Sequence, residues 1–218
     1  MDAPGLLTDR FRAVVFDMDG LLLDTEVLWQ KAEEELFRRH DGEFTWGDKM
    51  AVIGTSFAFT AQYFAERLGR PQEEGAALVE EMLEIMHAEL TAQVDHRPGA
   101  VELVERLRGR TRLALASNSP RRLVDTALAT ARVADAFDAI VTSDDVAHPK
   151  PAPDLYLLAC ELLGVDPTDA LALEDSPSGI AAAKAAGLTC IAVPQYAETD
   201  VSAADRVIDS LEELLAES

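Results

Sequence analysis

Two aspartates spaced two apart, Asp17 and Asp19, follow the apolar run Ala13 to Phe16 and precede Gly20. That pattern is a buried parallel strand delivering two carboxylates to its carboxyl end. Three later segments end in the same way: Ser117 and Asn118 close one apolar run, Lys150 sits in the proline-rich loop after another, and Glu174 and Asp175 close a third. A parallel sheet brings its strand ends to one edge, where residues remote in sequence share a crevice. Several carboxylates at close range need a hard cation, and oxygen ligands with open positions suit Mg²⁺ that also binds a phosphate. The hydroxyl, the amide and the lysine complement phosphoryl oxygens. Taken singly, each residue has a plainer reading. Ser117 and Asn118 suit a cap for the helix starting near Pro120, Lys150 suits solvent, and Glu174-Asp175 suits a turn before Ser176-Pro177.

The elements that must position these groups follow from periodicity. Thr25 is a candidate cap for a helix whose apolar stripe is Val27, Leu28, Ala32, Leu36 and Phe37, ending at Asp41-Gly42. The helical period continues from Thr45 to about Ala92, with breaks at Gly54 to Ser56 and Leu68 to Pro71 and no strand. From Arg97 onward strands and helices alternate: helix Ala100 to Leu107 with its apolar face on Val101, Val104 and Leu107, strand Arg112 to Ala116, helix Arg121 to Thr130, strand Ala139 to Thr142, helix Asp154 to Leu163, strand Ala170 to Leu173, helix Pro177 to Ala186, strand Thr189 to Val193, and a short helix from about Ser210. The expected fold is α/β, a Rossmann-like parallel sheet core with helices on both faces, made of residues 1–21 and 97–218. An all-helical cap of residues 22–96 is inserted into it.

Composition narrows the partners. Forty acidic against nineteen basic residues give a formal charge of −21, which repels nucleic acid and anionic membranes and lacks the basic footprint either would need. A phosphate site must then be made locally positive by a metal, a lysine or helix amino-termini. Cys160 and Cys190 lie in apolar settings and read as buried free thiols. The segment MDAPGLLTDR lacks a basic stretch followed by an apolar one, and no run is long enough to span a bilayer. We expect a cytoplasmic monomer. No Walker loop, G-x-G-x-x-G or G-x-S-x-G is present, and Gly20 is misplaced for a calcium-binding EF loop.

The strings FDMDG, ASNS, HPKPAPD and LEDSPSG resemble, in order and context, the four motifs of the haloacid dehalogenase-like superfamily over nearly the whole chain. DMDGLLLDTE, with a helical insert directly after it, is similar to the branch holding β-phosphoglucomutase and the phosphatases of small sugar, polyol and nucleoside monophosphates. The resemblance implies that Asp17 is the nucleophile and Asp19 the general acid and base. It implies that Ser117, the backbone at Asn118 and Lys150 hold the phosphoryl oxygens. Mg²⁺ would be held by Asp17, the Asp19 carbonyl and Asp175, with Glu174 a direct or indirect ligand. Substrate selectivity would fall to the cap, on Glu26, Trp29, Gly54, Thr55 and Ser56. The mutase pattern would put histidine at Trp29 and arginine at Phe57, so the resemblance points to a phosphoric monoester hydrolase acting on a small phosphorylated metabolite. The alternatives are a phosphosugar mutase, an inactive binding or regulatory protein on the same fold, and, with less chemical support, a dehalogenase.

Overall fold

The computed structural model describes residues 10–53 and 55–216. The reading of the first nine residues and of Gly54 therefore lies outside the described residues. Six parallel strands form one sheet in the order β3-β2-β1-β4-β5-β6: β1 is Ala13–Phe16, β2 Arg112–Ala116, β3 Ala139–Val141, β4 Ala170–Glu174, β5 Thr189–Ala192 and β6 Arg206–Val207. The central position of β1, flanked by β2 and β4, explains its unbroken apolar sequence, since both its edges and both its faces are covered.

Alternation along the central strands separates two cores. Val14, Phe16, Leu113, Leu115, Leu171 and Leu173 face one way, against α5 (Ala100–Leu107), α6 (Arg121–Ala131) and α9 (Glu212–Leu215). Ala13, Val15, Ala114, Ala116, Ala170 and Ala172 face the other, against α7 (Asp154–Leu163) and α8 (Pro177–Ala186). Small residues on that second face let α7 approach the sheet closely enough to bury Tyr156 completely beneath it. Cys160 and Cys190 belong to this core and are free, their thiols pushed up by burial to about 11 and about 12.

Between β1 and α5 the described elements are helical: α1 (Glu26–Arg39), α2 (Trp46–Val52), α3 (Phe57–Arg67), a 3-10 turn (Gln72–Glu74) and α4 (Gly75–Ala92). Their apolar faces continue the larger of the two cores, through Leu36, Phe37, Phe64, Met82 and Met86. The chain enters and leaves this block along paired segments, with Asp24 N–H donating to Asp95 O at 2.8 Å and Arg97 N–H to Leu22 O at 3.0 Å. Two further ties join α4 to the rest of the chain: it packs on α6, and Arg122 pairs with Glu80 and Glu84.

Several local expectations are corrected. Val27 is half exposed, at 51%, because the buried side of α1 runs through Leu28, Trp29, Ala32, Glu33, Leu36 and Phe37. Thr25 makes no side-chain cap; its hydroxyl is used elsewhere, as described below. On α5 the fully buried residues are Ala100, Leu103 and Leu107, with Val104 nearly so, while Val101 is partly covered. Neither Ser117 nor Asn118 caps α6, whose first free N–H, on Arg121, donates instead to Asp144 Oδ2 at 2.9 Å. The edge strand β6 is two residues long, too short to leave a periodic trace.

A polar anchor within the block is centred on Asp48. Asp48 accepts from Thr45 N–H and Oγ1–H at 2.8 and 2.7 Å, from Tyr63 Oη at 2.7 Å and from both Arg67 Nε and Nη2, at 2.5 and 3.0 Å. Its capping box starts α2 and ties it to α3. The Arg67 bonds hold the carboxyl well below its usual range, so its contribution is complete above about pH 4 and is lost as pH falls. Allowing for the exposed end of Arg67, Asp48→Asn is expected to cost about 2 kcal/mol at neutral pH. It should also flatten the acid loss of stability, measured by denaturant unfolding at a series of pH values. Equal stability of the two proteins at neutral pH would contradict the anchor.

Candidate active site

The expected strand ends do converge. β1 delivers Asp17 and Asp19, β2 leads into Ser117 and Asn118, the loop after β3 brings in Lys150, and β4 ends at Glu174 followed by Asp175. Lys150 Nζ donates to Asp17 Oδ1 at 2.5 Å and to Glu174 Oε1 at 2.6 Å, all three side chains being buried. The Asn118 side chain holds this loop in place rather than facing a ligand: Lys150 N–H donates to Oδ1 at 2.8 Å, and Nδ2 donates to Lys150 O at 3.1 Å.

Glu174 is filled by donors. Oε1 accepts from Lys150 and from Tyr156 Oη at 2.7 Å; Oε2 accepts from Asp175 N–H, Ser176 N–H and Ser176 Oγ at 3.1, 3.2 and 3.1 Å. Ser176 also caps α8 through Gly179 N–H, so the cap expected at that turn and the site use the same hydroxyl. Glycine is required twice. Gly20 has φ +83°, and a Cβ there would lie 2.3 Å from Asp175 Oδ2; a Cβ on Gly179 would lie 1.7 Å from Glu174 Oε1.

Asp19 sits apart from the lysine. Oδ1 accepts from Thr25 Oγ1 at 2.7 Å and Trp29 Nε1 at 3.1 Å; Oδ2 accepts from Ser119 Oγ at 2.8 Å and Ser117 Oγ at 3.2 Å. Ser117 is thus fully buried beneath Asp19 instead of lining the cavity in front of it. Trp29 does more than pack, tying the helical block to the strand tip.

The charges are unbalanced. Burial pushes Asp17 up to about 8, with Lys150 pulling it down and Glu174 and Asp19 adding to the rise. Asp175 is raised in the same direction by burial and then by Asp17 and Glu174. Burial opposes the charge on Lys150, but Asp17 and Glu174 outweigh it and hold the ammonium above its usual range. One lysine does not neutralise this group. Asp17, Glu174 and Asp175 each offer an oxygen within 4.8 Å of the others. With Glu174 already bonded to five donors, Asp17 and Asp175 are the carboxylates best placed to hold a hard cation, and the side-chain-free space at Gly20 beside Asp175 fits that role.

In front of these groups opens a cavity of about 670 Å³ lined by Asp17, Asp19, Asn118, Lys150 and Asp175 from below and by Glu26, Trp29, Thr55 and Ser56 from the helical block. The Thr55 hydroxyl donates to Val52 O at 2.7 Å, and Ser56 Oγ caps α3 by accepting from Phe59 N–H at 3.3 Å, so both also have local partners. Glu26 and Glu33 flank Lys49, 3.0 and 3.1 Å from its buried Nζ. Burial pushes Glu33 up to about 7 despite Lys49. Sequence reading missed Ser119, Tyr156, Gly179 and the Glu33–Lys49 pair; of these, Ser119 inside the ASNS string and Gly179 at the end of LEDSPSG carried a signal.

A family profile for haloacid dehalogenase-like hydrolases matches residues 14–193. The chain belongs to that family. Among its relatives is the fructose-1-phosphate phosphatase YqaB of Escherichia coli (strain K12), 34% identical over 185 residues covering 85% of this chain and 97% of the relative. The validoxylamine A 7'-phosphate phosphatase of Streptomyces hygroscopicus subsp. limoneus is 31% identical over 207 residues, covering 94% and 96%. The solved structure of CbbY from Rhodobacter sphaeroides in complex with xylulose-1,5-bisphosphate superposes with TM-score 0.83 at 30% identity, covering 95% of this chain and 99% of that one.

The glycine in α8 gives a sign test. Helix propensity alone makes Gly→Ala stabilising by about 1 kcal/mol. At Gly179 the added methyl must displace Glu174 and with it Lys150. Gly179→Ala is therefore expected to lower thermal stability and to reduce hydrolytic turnover at least about tenfold. A more stable, fully active variant would show that Glu174 does not need this position.

Proposed function

We propose that this chain is a Mg²⁺-dependent phosphomonoesterase acting on a small phosphorylated sugar, polyol or nucleoside through an aspartyl-phosphate at Asp17. The observation that carries the reading is the division of labour at the β1 tip: Asp17 lies against Lys150, while Asp19, two residues on, is held by a separate set of donors. Bound Mg²⁺, held by Asp17, Asp175 and the Asp19 carbonyl, would reduce the repulsion between carboxylates and an incoming phosphate. In the first step an Asp17 carboxylate oxygen bonds to phosphorus, the bond from phosphorus to the substrate oxygen breaks, and Asp19 gives that oxygen its proton. In the second, water attacks phosphorus, Asp19 takes the water's proton, and the bond from phosphorus to Asp17 breaks. Inorganic phosphate leaves, with Asp17 free and Asp19 reprotonated.

Asp19 must therefore be bonded well in two protonation states. Three of its four partners are hydroxyls, on Thr25, Ser117 and Ser119, which can turn from donor to acceptor when the carboxyl carries a proton; only the Trp29 indole cannot. Lys150 donates to phosphoryl oxygens, and Asn118 keeps it there. Residues 22–96 act as a cap over the core of residues 1–21 and 97–218, closing on the substrate to exclude water. The relatives named as phosphatases of fructose 1-phosphate and validoxylamine A 7'-phosphate support the reaction class. We place the enzyme in the cytoplasm as a monomer.

Hydrolysis of an aryl phosphate is expected with Mg²⁺, to vanish in excess chelator, and to return on adding the metal back. Asp17→Asn should lose at least about 10³-fold in turnover with an unchanged fold, because an amide forms no acyl phosphate. Turnover in chelator, or an active Asp17→Asn variant, would overturn the assignment. Isomerisation of a phosphosugar faster than its hydrolysis would favour the mutase alternative.

A further inference from the structure

Among the described residues lining the cavity, the only cations are Lys49 and Lys150. Both are committed: Lys150 to Asp17 and Glu174 at the reacting end, and Lys49, on α2, to Glu26 and Glu33 of α1. The lining also includes Glu198 and Asp200, both exposed, from the loop after β5. Away from the reacting end, the lining thus carries four carboxylates and one lysine whose charge is already shared. We infer that this wall selects an uncharged, polyhydroxylated leaving group and rejects one carrying a second phosphate. The inference rests on the phosphomonoesterase reading and specifies its substrate class.

The rejection is electrostatic. A second phosphate in the cavity would meet carboxylates without a free partner cation, and like charges brought together in a partly enclosed site discriminate strongly against the wrong ligand. Lys49 cannot be recruited, because drawing it away would leave Glu33 buried beside no cation.

The acceptance is a matter of unspent hydrogen bonds. Glu26 Oε2 is buried 3.0 Å from Lys49 Nζ, and a carboxylate oxygen paired with one ammonium keeps a lone pair with which to accept. Lys49 divides three N–H donors between Glu33 Oε2 at 3.1 Å and Glu26, which leaves one for a ligand. A hydroxyl both donates and accepts, and adjacent hydroxyls on a sugar or polyol can satisfy Glu26 and Lys49 together without adding charge. Beside them the Trp29 and Phe57 rings, 6.2 Å apart and inclined at 43°, offer an apolar surface to the C–H face of such a molecule.

The test uses the full chain with Mg²⁺ and pairs of substrates sharing a carbon skeleton: fructose 1-phosphate against fructose 1,6-bisphosphate, and ribose 5-phosphate against ribose 1,5-bisphosphate. The expected kcat/KM is at least about 100-fold higher for the monophosphate of a pair. Each bisphosphate should be a correspondingly weak competitor of aryl phosphate hydrolysis. Glu26→Gln removes one wall charge, and should narrow the monophosphate preference about tenfold; a merely structural role would scale both members of a pair alike and leave the ratio unchanged. Bisphosphates turned over or bound as well as monophosphates by the wild-type chain overturn the inference, whether or not the variant folds. Failure to hydrolyse aryl phosphate at all would instead count against the phosphomonoesterase reading. In that event calorimetric titration of the same pairs into the wild-type chain still decides the inference: tighter binding of the monophosphate supports it, equal or weaker binding overturns it.

Discussion

Lys150 joins the carboxylates of Asp17 and Glu174 at 2.5 and 2.6 Å, all three side chains being buried at the floor of the cavity, and the geometry of the centre depends on that pairing. A buried carboxylate without a cation is costly, and a buried lysine equally so. Everything nearby serves to keep the three groups in register. Asn118 grips the Lys150 backbone from the end of β2, Tyr156 reaches across from α7 to Glu174, and Ser176 fastens the other Glu174 oxygen while starting α8. The pairing still leaves Asp17 and Asp175 raised by burial, so the protein's own charges do not complete the centre. That deficit of positive charge makes a hard cation the natural complement, and with it a phosphate becomes tolerable in a chain of net charge −21.

The sheet makes this arrangement possible by treating its two faces differently. Leucines, Phe16 and Val14 fill the side shared with the helical block, whereas alanines on the other side draw α7 and α8 close enough for Tyr156 and Gly179 to touch Glu174. The same strand therefore fixes a packing distance and a catalytic geometry. On the opposite side, the block is tied to the strand tip by Thr25 and Trp29, both bonded to Asp19. A group proposed to move protons is thus in contact with the element proposed to read the substrate.

Much of this was legible in the sequence, for identifiable reasons. Strand and helix limits such as Asp154–Leu163 and Pro177–Ala186 were sharp because Pro, Gly and apolar periodicity mark them. Asp17, Asp19, Lys150, Glu174 and Asp175 stood out because groups of complementary chemistry recur in order at, or in the loops after, the ends of apolar runs, although each alone has a plainer reading. What stayed hidden was contact across the fold. Tyr156 and Glu33 look like ordinary residues on helical faces, and only the packing shows that one is bonded to Glu174 and the other to Lys49. Thr25 misled for a physical reason: a capping threonine has an extended backbone and accepts at its hydroxyl oxygen from the first turn, whereas here the backbone is already helical (φ −88°, ψ −15°) and the hydroxyl is aimed at Asp19, to which it donates.

The most direct test of the central claim is to look for the phosphorylated carboxylate itself. The wild-type chain should be mixed with a ³²P-labelled phosphomonoester and Mg²⁺, quenched in acid during turnover, and mapped by peptide. The account predicts label on the peptide containing Asp17, released by hydroxylamine as an acyl phosphate is, and absent when Asp17 is replaced by Asn. Turnover with no labelled protein at any quench time, or stable label on a serine, threonine or histidine, would contradict it.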